Sequence, residues 1–443
     1  MDLTDAGGRP VRRAPRWSVT AAVTAVLVLL LSACSTAGST AAVEPVTLRF
    51  MSYNYQTACC TKGIEDLISA FEAANPGIKI APEPVAVQDV LTKLRTEVAA
   101  GATPDVVQLG WSKAAEARAN LPLVPVQDIP APQEWATATA GIEPNIMKAV
   151  STGGKVDIMP FSIGTPMIYY NADLFRKAGL DPNNPPKTVS EIRTAAAAIV
   201  KTGAQGVYFG VADTGKSDYM TQSVVNSNGG ALVNGSGTVT VDSPQVVGAL
   251  STLSDLTRSG LQPSVSVDDA LAAFTGGKIG MFVFTCSGAT SIQKSTTGKF
   301  DLRTAGFPSF GAPAAPTYSG AGLAVLSKDK ATQQAAWKFV QFLTSAQGFT
   351  ILTKEIGYLP LRPSIVSDPA YLGGYFAQNK LLLPAVAQLA DVRPYTSFAG
   401  KKANQAVLAL QNQAVEPVVL RGADPQTTLA DTAAKIRSLT GAP

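Results

Sequence analysis

Neutral polar and aromatic residues gather where the apolar runs of this chain end. Tyr53, Asn54, Tyr55 and Gln56 close one such run, and Gly110, Trp111 and Ser112 follow another. Hydroxyls, amides and ring faces in such positions hydrogen-bond a polar molecule and stack on its C–H faces without reacting with it. Acid–base chemistry is poorly provided for. The 443 residues include no histidine, which excludes Ser-His-Asp and Cys-His acyl transfer, HExxH zinc sites and histidine-ligated haem. Glycoside hydrolysis by two carboxylates needs no imidazole, but the nearby acids Glu116, Asp213 and Asp218 form no evident opposed pair. Calcium needs only oxygen ligands, yet no Asp/Asn loop of suitable spacing is present, so neither metal nor cofactor is expected. Only 15% of residues are charged and the net charge is +4, which argues against a basic nucleic-acid-binding face.

These clusters need a scaffold that brings strand ends together. Residues 46–53 alternate and are rich in β-formers, so they read as a first strand. Residues 63–74 carry Ile64, Leu67, Ile68 and Phe71 at helical spacing before the stop Asn75-Pro76-Gly77. A second strand begins at 78–80, an amphipathic helix spans 87–100, and 104–109 read as a buried third strand. This βαβαβ order predicts an α/β fold with a parallel sheet covered by helices, whose ligands sit beyond the carboxyl ends of the strands. Further on, 158–171 form a second extended run, 172–178 and 189–202 are helices, and 226–230 are a turn followed by a polar strand pair. Residues 268–284 read as helix, Gly-Gly turn and strand, 318–326 as a strand, and 331–354 and 401–439 as mostly helix.

Residues 1–33 combine a basic segment (Arg9, Arg12, Arg13, Arg16) with an apolar run from Val19 to Leu31, the layout of a signal peptide. The run is shorter than the roughly 20 residues that span a bilayer. Leu31-Ser32-Ala33-Cys34 resembles the lipobox of bacterial lipoproteins, which implies lipidation of Cys34 and a small, uncharged tether over 34–45. Four arginines and two aspartates leave with the leader, which brings the net charge from +4 to +2. Outside the cytoplasm a disulfide is permitted. Cys59 and Cys60 are too close to pair with each other in ordinary geometry, so a bridge from Cys59 or Cys60 to Cys286 is one reading and three unpaired thiols the other.

The order of segments resembles the extracellular solute-binding proteins of bacterial ABC importers, the sugar-type family. Phe71 to Lys79 is similar to the family's entry to the second strand, and Pro104-Asp105-Val106-Val107 to its third. Tyr169 to Leu180 resembles its crossing between lobes, Phe274 to Met281 its FxxGKxAM segment, and Gly357 to Arg362 its late GxLPxR turn. Within the family the likeness is nearest to glycerol-3-phosphate binders, through Pro160 to Asn171, Ala178 to Thr188, Ser319 to Ala324 and Arg393-Pro394-Tyr395. Departures are plain as well: Asp213 to Tyr219 stands where those proteins have paired tryptophans, and their phosphate-holding arginine would fall near Gly400.

The resemblance implies a two-lobed type II fold, each lobe a mostly parallel sheet flanked by helices, joined by hinge crossings and closing on a ligand. It implies one lobe over 46–157 and 318–365, and the other, with the crossings, over 158–317 and 366–443. It also implies capture of a carbohydrate or glycerophosphoryl compound without catalysis, a monomer anchored outside the cytoplasmic membrane through its lipid, and the transmembrane subunits of an ABC permease as partner. A secreted carboxylate-dependent glycosidase and a non-transport envelope lipoprotein are the alternatives. Ligand contacts are expected from Tyr53, Asn54, Gln56, Trp111, Ser112 and Thr165, then from Asp218, Tyr219, Gln222 and Asn226. Thr285, Ser287, Tyr318, Gly320, Gly322, Tyr358 and Arg393 complete the set. Tyr53 could equally cap the core, Gly320 and Gly322 could serve tight backbone packing, and Arg393 could be an anion clamp or a surface ion. Tyr169 and Tyr170 read as packing residues inside a strand.

Overall fold

The computed structural model describes residues 45–57, 60–212 and 214–442. The leader, Cys34 and most of the tether, together with Cys59 and Asp213, lie outside the described residues. The first elements follow the expected order: β1 (Val46–Ser52), α1 (Thr61–Ala74), β2 (Ile78–Pro84), α2 (Val90–Ala99), β3 (Val106–Gly110) and α3 (Trp111–Asn120). Next come α4 (Pro132–Thr139), α5 (Pro144–Val150), β4 (Met159–Gly164), β5 (Pro166–Asn171), α6 (Ala172–Lys177), α7 (Val189–Val200) and β6 (Gln205–Phe209). Helices α8 (Tyr219–Asn226), α9 (Pro244–Arg258) and α10 (Val267–Thr275) lead to β7 (Ile279–Thr285), α11 (Ala289–Thr296), β8 (Leu302–Ala305) and β9 (Ser319–Val325). The rest is helical: α12 (Lys330–Leu343), α13 (Ala346–Glu355), α14 (Gly373–Gln378), α15 (Leu383–Ala387), α16 (Ala403–Ala409), α17 (Glu416–Arg421) and α18 (Pro425–Thr440).

Local chemistry sets several of these starts. Asn171 accepts the N–H groups of Asp173 and Leu174 at the head of α6, Thr188 and Glu191 cap each other at α7, and Ser266 accepts from Asp269 at α10. The polar strand pair expected after 230 reduces to a single bridge between Val233 and Val239, and Asn226 ends a helix instead of opening a turn.

Two sheets organise the chain, in the orders β2-β1-β3-β9-β4 and β6-β7-β5-β8. Both are mixed where mostly parallel sheets are expected. β1 runs parallel to β2 and β3, and β6 to β7, but β9 lies antiparallel to both β3 and β4, and β5 antiparallel to both β7 and β8. The physical reason is the route of the chain. Residues 158–171 form one extended run in the sequence yet supply an edge strand of the first sheet and an inner strand of the second, with Thr165 between the two. Rings fill the core beside the first sheet, where Phe50 and Phe71 lie 5.1 and 4.9 Å from Phe339. Tyr169 and Tyr170 are buried, as packing residues should be. Among the described residues no helix is long and apolar enough to cross a membrane.

Of the two cysteine readings, the structure describes Cys286 as an unpaired thiol. It is a free, fully buried thiol whose sulfur accepts the Thr165 N–H at 3.4 Å, while its own N–H donates to the Thr165 carbonyl at 2.9 Å. The sulfur is thus held beneath the crossing segment. Burial pushes its pKa up to about 12. Iodoacetamide at neutral pH is expected to leave the Cys286 peptide unmodified in the native protein and to label it in denaturant, as read by peptide mass. Native-state labelling would contradict this packing.

Candidate ligand-binding site

A cavity of about 450 Å³ opens at the ends of β1, β3 and β7 and the start of β9. Tyr53 and Asn54 reach it from the turn after β1. That turn is held by a buried polar chain: Ser52 Oγ accepts the Asn54 N–H at 3.1 Å and donates to Gln108 Oε1, and Gln108 Nε2 donates to Ser162 Oγ at 2.9 Å. The Asn54 side chain has no such support. It is 1% exposed, and neither its Oδ1 nor its Nδ2 has a hydrogen-bond partner among the described residues. An unsatisfied buried amide costs on the order of 1–3 kcal/mol, so a group at this position that gains a bound partner gains more than an exposed amide would. Burial pushes the Tyr53 phenol up to about 12, against the hydrogen bonds of Ser162, Tyr358 and Gln108, and it stays neutral.

Hydroxyls line the floor where the two sheets meet. Thr285 Oγ1 lies 3.1 Å from Ser287 Oγ and 3.2 Å from Ser319 Oγ, and Ser319 Oγ donates to the Gly164 carbonyl at 3.2 Å. Because Thr285 ends β7 and Ser319 begins β9, this string joins one sheet to the other beside the crossing. Gly320 follows at φ +93, where a Cβ would overlap the Ser162 carbonyl oxygen. A glycine is therefore required by the backbone as well as facing the cavity. Ser112, Tyr219 and Tyr358 complete the expected residues that line it.

Other expected residues are used elsewhere. Trp111 begins α3 and turns under β9, 5.5 Å from Tyr318 at 81°, with Gly322 leaving room for the indole. Tyr318 is itself buried, its hydroxyl donating to the Ala149 carbonyl at 3.4 Å. Thr165 is the crossing residue, and its Oγ1 accepts from Gln388 Nε2 at 3.2 Å. Asp218 accepts from Gln222 Nε2 at 3.0 Å and from the Tyr395 hydroxyl, while Gln222 also exchanges two 2.9 Å bonds with the Thr396 backbone. Asn226 donates to Thr317 Oγ1 at 2.9 Å. These bonds tie α8 and its N-cap Asp218 to distant segments. Gln56 and Arg393 are exposed outside the cavity, and the Arg393 backbone is held by its N–H to the Pro316 carbonyl at 2.8 Å within a parallel bridge to Thr317.

Several lining residues have no signal in the sequence. Lys113 is 6% exposed at the first turn of α3 and brings a cation to the wall. Val87, Val90, Val267, Leu271, Phe284 and Ile292 give apolar walls, and Asp268 lies beside them with a 2.9 Å bond from Thr214. For hydrolysis, two carboxyls about 5–10 Å apart across the cleft are needed. Among the described lining residues Asp268 is the acid, while Glu116 is spent on Arg95 at 3.2 Å and the Asn404 N–H at 2.9 Å. Among the described residues no group of three or more His, Cys, Asp or Glu gathers as a metal site.

A family model described as bacterial extracellular solute-binding protein matches residues 66–374. The chain is 27% identical over 358 residues to the sn-glycerol-3-phosphate-binding periplasmic protein of Escherichia coli strain K12, covering 75% of this chain and 78% of that one. Among solved structures, the GacH receptor of Streptomyces glaucescens, solved unliganded and with acarbose, matches at TM-score 0.75 and 24% identity, over 90% of this chain and 99% of that one. UgpB of Mycobacterium tuberculosis in complex with glycerophosphocholine matches at TM-score 0.76 and 22% identity, over 89% and 98%. At these identities the structural likeness speaks for the fold.

Proposed function

The chain belongs to the bacterial extracellular solute-binding proteins, and from that premise we propose that it captures a sugar, polyol or glycerophosphoryl compound for an ABC importer. The observation that carries this reading is the Asn54 amide, buried at the cavity with neither polar atom paired among the described residues. A hydroxylated solute would supply both an acceptor and a donor there, and the hydroxyl string of Ser287, Thr285 and Ser319 would take further hydroxyls. Glycerol 3-phosphate, glycerophosphocholine and acarbose, named with the relatives, are all molecules of this kind. A phosphoryl group would be met by Lys113 and not by Arg393, since only the lysine lines the cavity.

Binding and release would proceed by closure of two lobes built on the two sheets, without turnover, and the bound solute would pass to the permease's transmembrane subunits. Lipidation of Cys34 after removal of residues 1–33 would hold the protein at the outer face of the cytoplasmic membrane, with residues up to 45 as tether. Isothermal titration against maltose, maltotriose, glycerol 3-phosphate and glycerophosphocholine tests the proposal. At least one is expected to bind with a dissociation constant in the micromolar range or below, and silence from all four would sink the ligand class.

A further inference from the structure

The cavity is not polar all round. Beside the hydroxyls it is lined by Val87 just before α2 and Val90 at its start, and by Val267, Leu271 and Phe284 from α10 and β7. Val267 and Leu271 are one helical turn apart and share a face of α10, and Phe284 immediately precedes the hydroxyl of Thr285. Leu271 and Phe284 are only half-buried, and Val87 is 38% exposed, which few large apolar side chains among the described residues are. Exposed apolar surface that rims a cavity marks a place where something apolar is covered.

A sugar with hydroxyls on every edge would put some of them against these side chains, which themselves offer no hydrogen-bond partner, while Asp268 beside them already accepts from Thr214. We infer that the solute is amphipathic: a hydroxylated head on the Asn54 and Ser319 side, carrying an alkyl or aryl substituent that lies between Val87 and Leu271. This rests on the solute-binding reading above and narrows its ligand class. The head supplies direction through hydrogen bonds, and the substituent supplies affinity through area removed from water.

Titration calorimetry with methyl, butyl and hexyl glucosides, and with glycerol and its 1-butyl and 1-hexyl ethers, tests this below their aggregation concentrations. Within one of the two series the affinity is expected to rise about fourfold per added methylene over the first few. In Leu271→Asn the dependence on chain length is expected to flatten. Affinity that is level along both series, or a rise that persists in Leu271→Asn, overturns the inference, because the chain then does not lie on this wall. Silence from both series while maltose, maltotriose, glycerol 3-phosphate or glycerophosphocholine binds overturns it too and leaves solute binding standing; silence from every compound overturns both.

Discussion

Asn54→Leu is expected to weaken solute binding by about 100-fold while raising the thermal midpoint of the unliganded protein. Both signs follow from one fact, that the Asn54 amide is buried with neither atom paired among the described residues. Leucine has nearly the same shape without the polar atoms, so the substitution removes an orphaned donor and acceptor that together cost ~1–3 kcal/mol. For a chain of this size each kcal/mol moves the midpoint by roughly 2 °C. On the bound side, leucine leaves two solute groups without partners, and ~2.7 kcal/mol of lost binding is about two decades of affinity. An asparagine with a purely structural role behaves in the opposite way: its replacement lowers the midpoint and leaves affinity alone. Calorimetric titration with whichever compound of the panel binds, paired with circular dichroism melts, separates the two, and a lowered midpoint with unchanged affinity would sink the assignment.

The pattern of what the sequence discloses follows from geometry. Tyr53, Asn54, Ser112, Thr285 and Ser287 sit where strands stop, and in an α/β sheet the cleft lies at strand ends, so periodicity alone points to them. Asp218, Gln222 and Asn226 look equally poised on paper. Their partners, Tyr395, Thr396 and Thr317, lie more than 90 residues away, and nothing local distinguishes a polar side chain with such a partner from one that waits for a ligand. Helix α8 itself escaped periodicity because it is buried nearly all round, leaving no polar stripe to alternate with an apolar one. The apolar walls were hidden for the converse reason. Val267 and Leu271 belong to a regular amphipathic helix, whose apolar face reads as core whether it meets a core or a cavity. Trp111 follows a strand end as expected, but β3 passes into α3 without a loop, so the first residue turns inward and the next two face the cavity.

Gly320→Ala is expected to cost about 3–5 kcal/mol of stability, the largest loss from adding a single methyl group in the cavity lining. The residue holds φ +93 in a strand paired on both edges, with Ile163 of β4 opposite it and the Leu109–Gly322 and Gly110–Ala321 pairs of β3 on the other side. An L side chain is strained at that φ by ~1–2 kcal/mol. The added Cβ also overlaps the Ser162 carbonyl, which is backbone and cannot rotate away. Relief requires β9 and β4 to part next to the Thr165 crossing, and with them the Ser319 Oγ to Gly164 carbonyl contact of 3.2 Å that floors the cavity. Affinity should therefore fall along with stability. Gly374→Ala is the matched control: its Cβ meets nothing within 4 Å inside a helix, so it is expected to be neutral or to stabilise by up to ~1 kcal/mol. Trimming Ser162→Gly should not rescue Gly320→Ala, because the obstructing oxygen belongs to the main chain. Urea unfolding of the three variants measures these differences, and a loss below ~1 kcal/mol for Gly320→Ala would mean that the β4 edge yields freely and that the crossing is not the rigid joint the strand pairing describes.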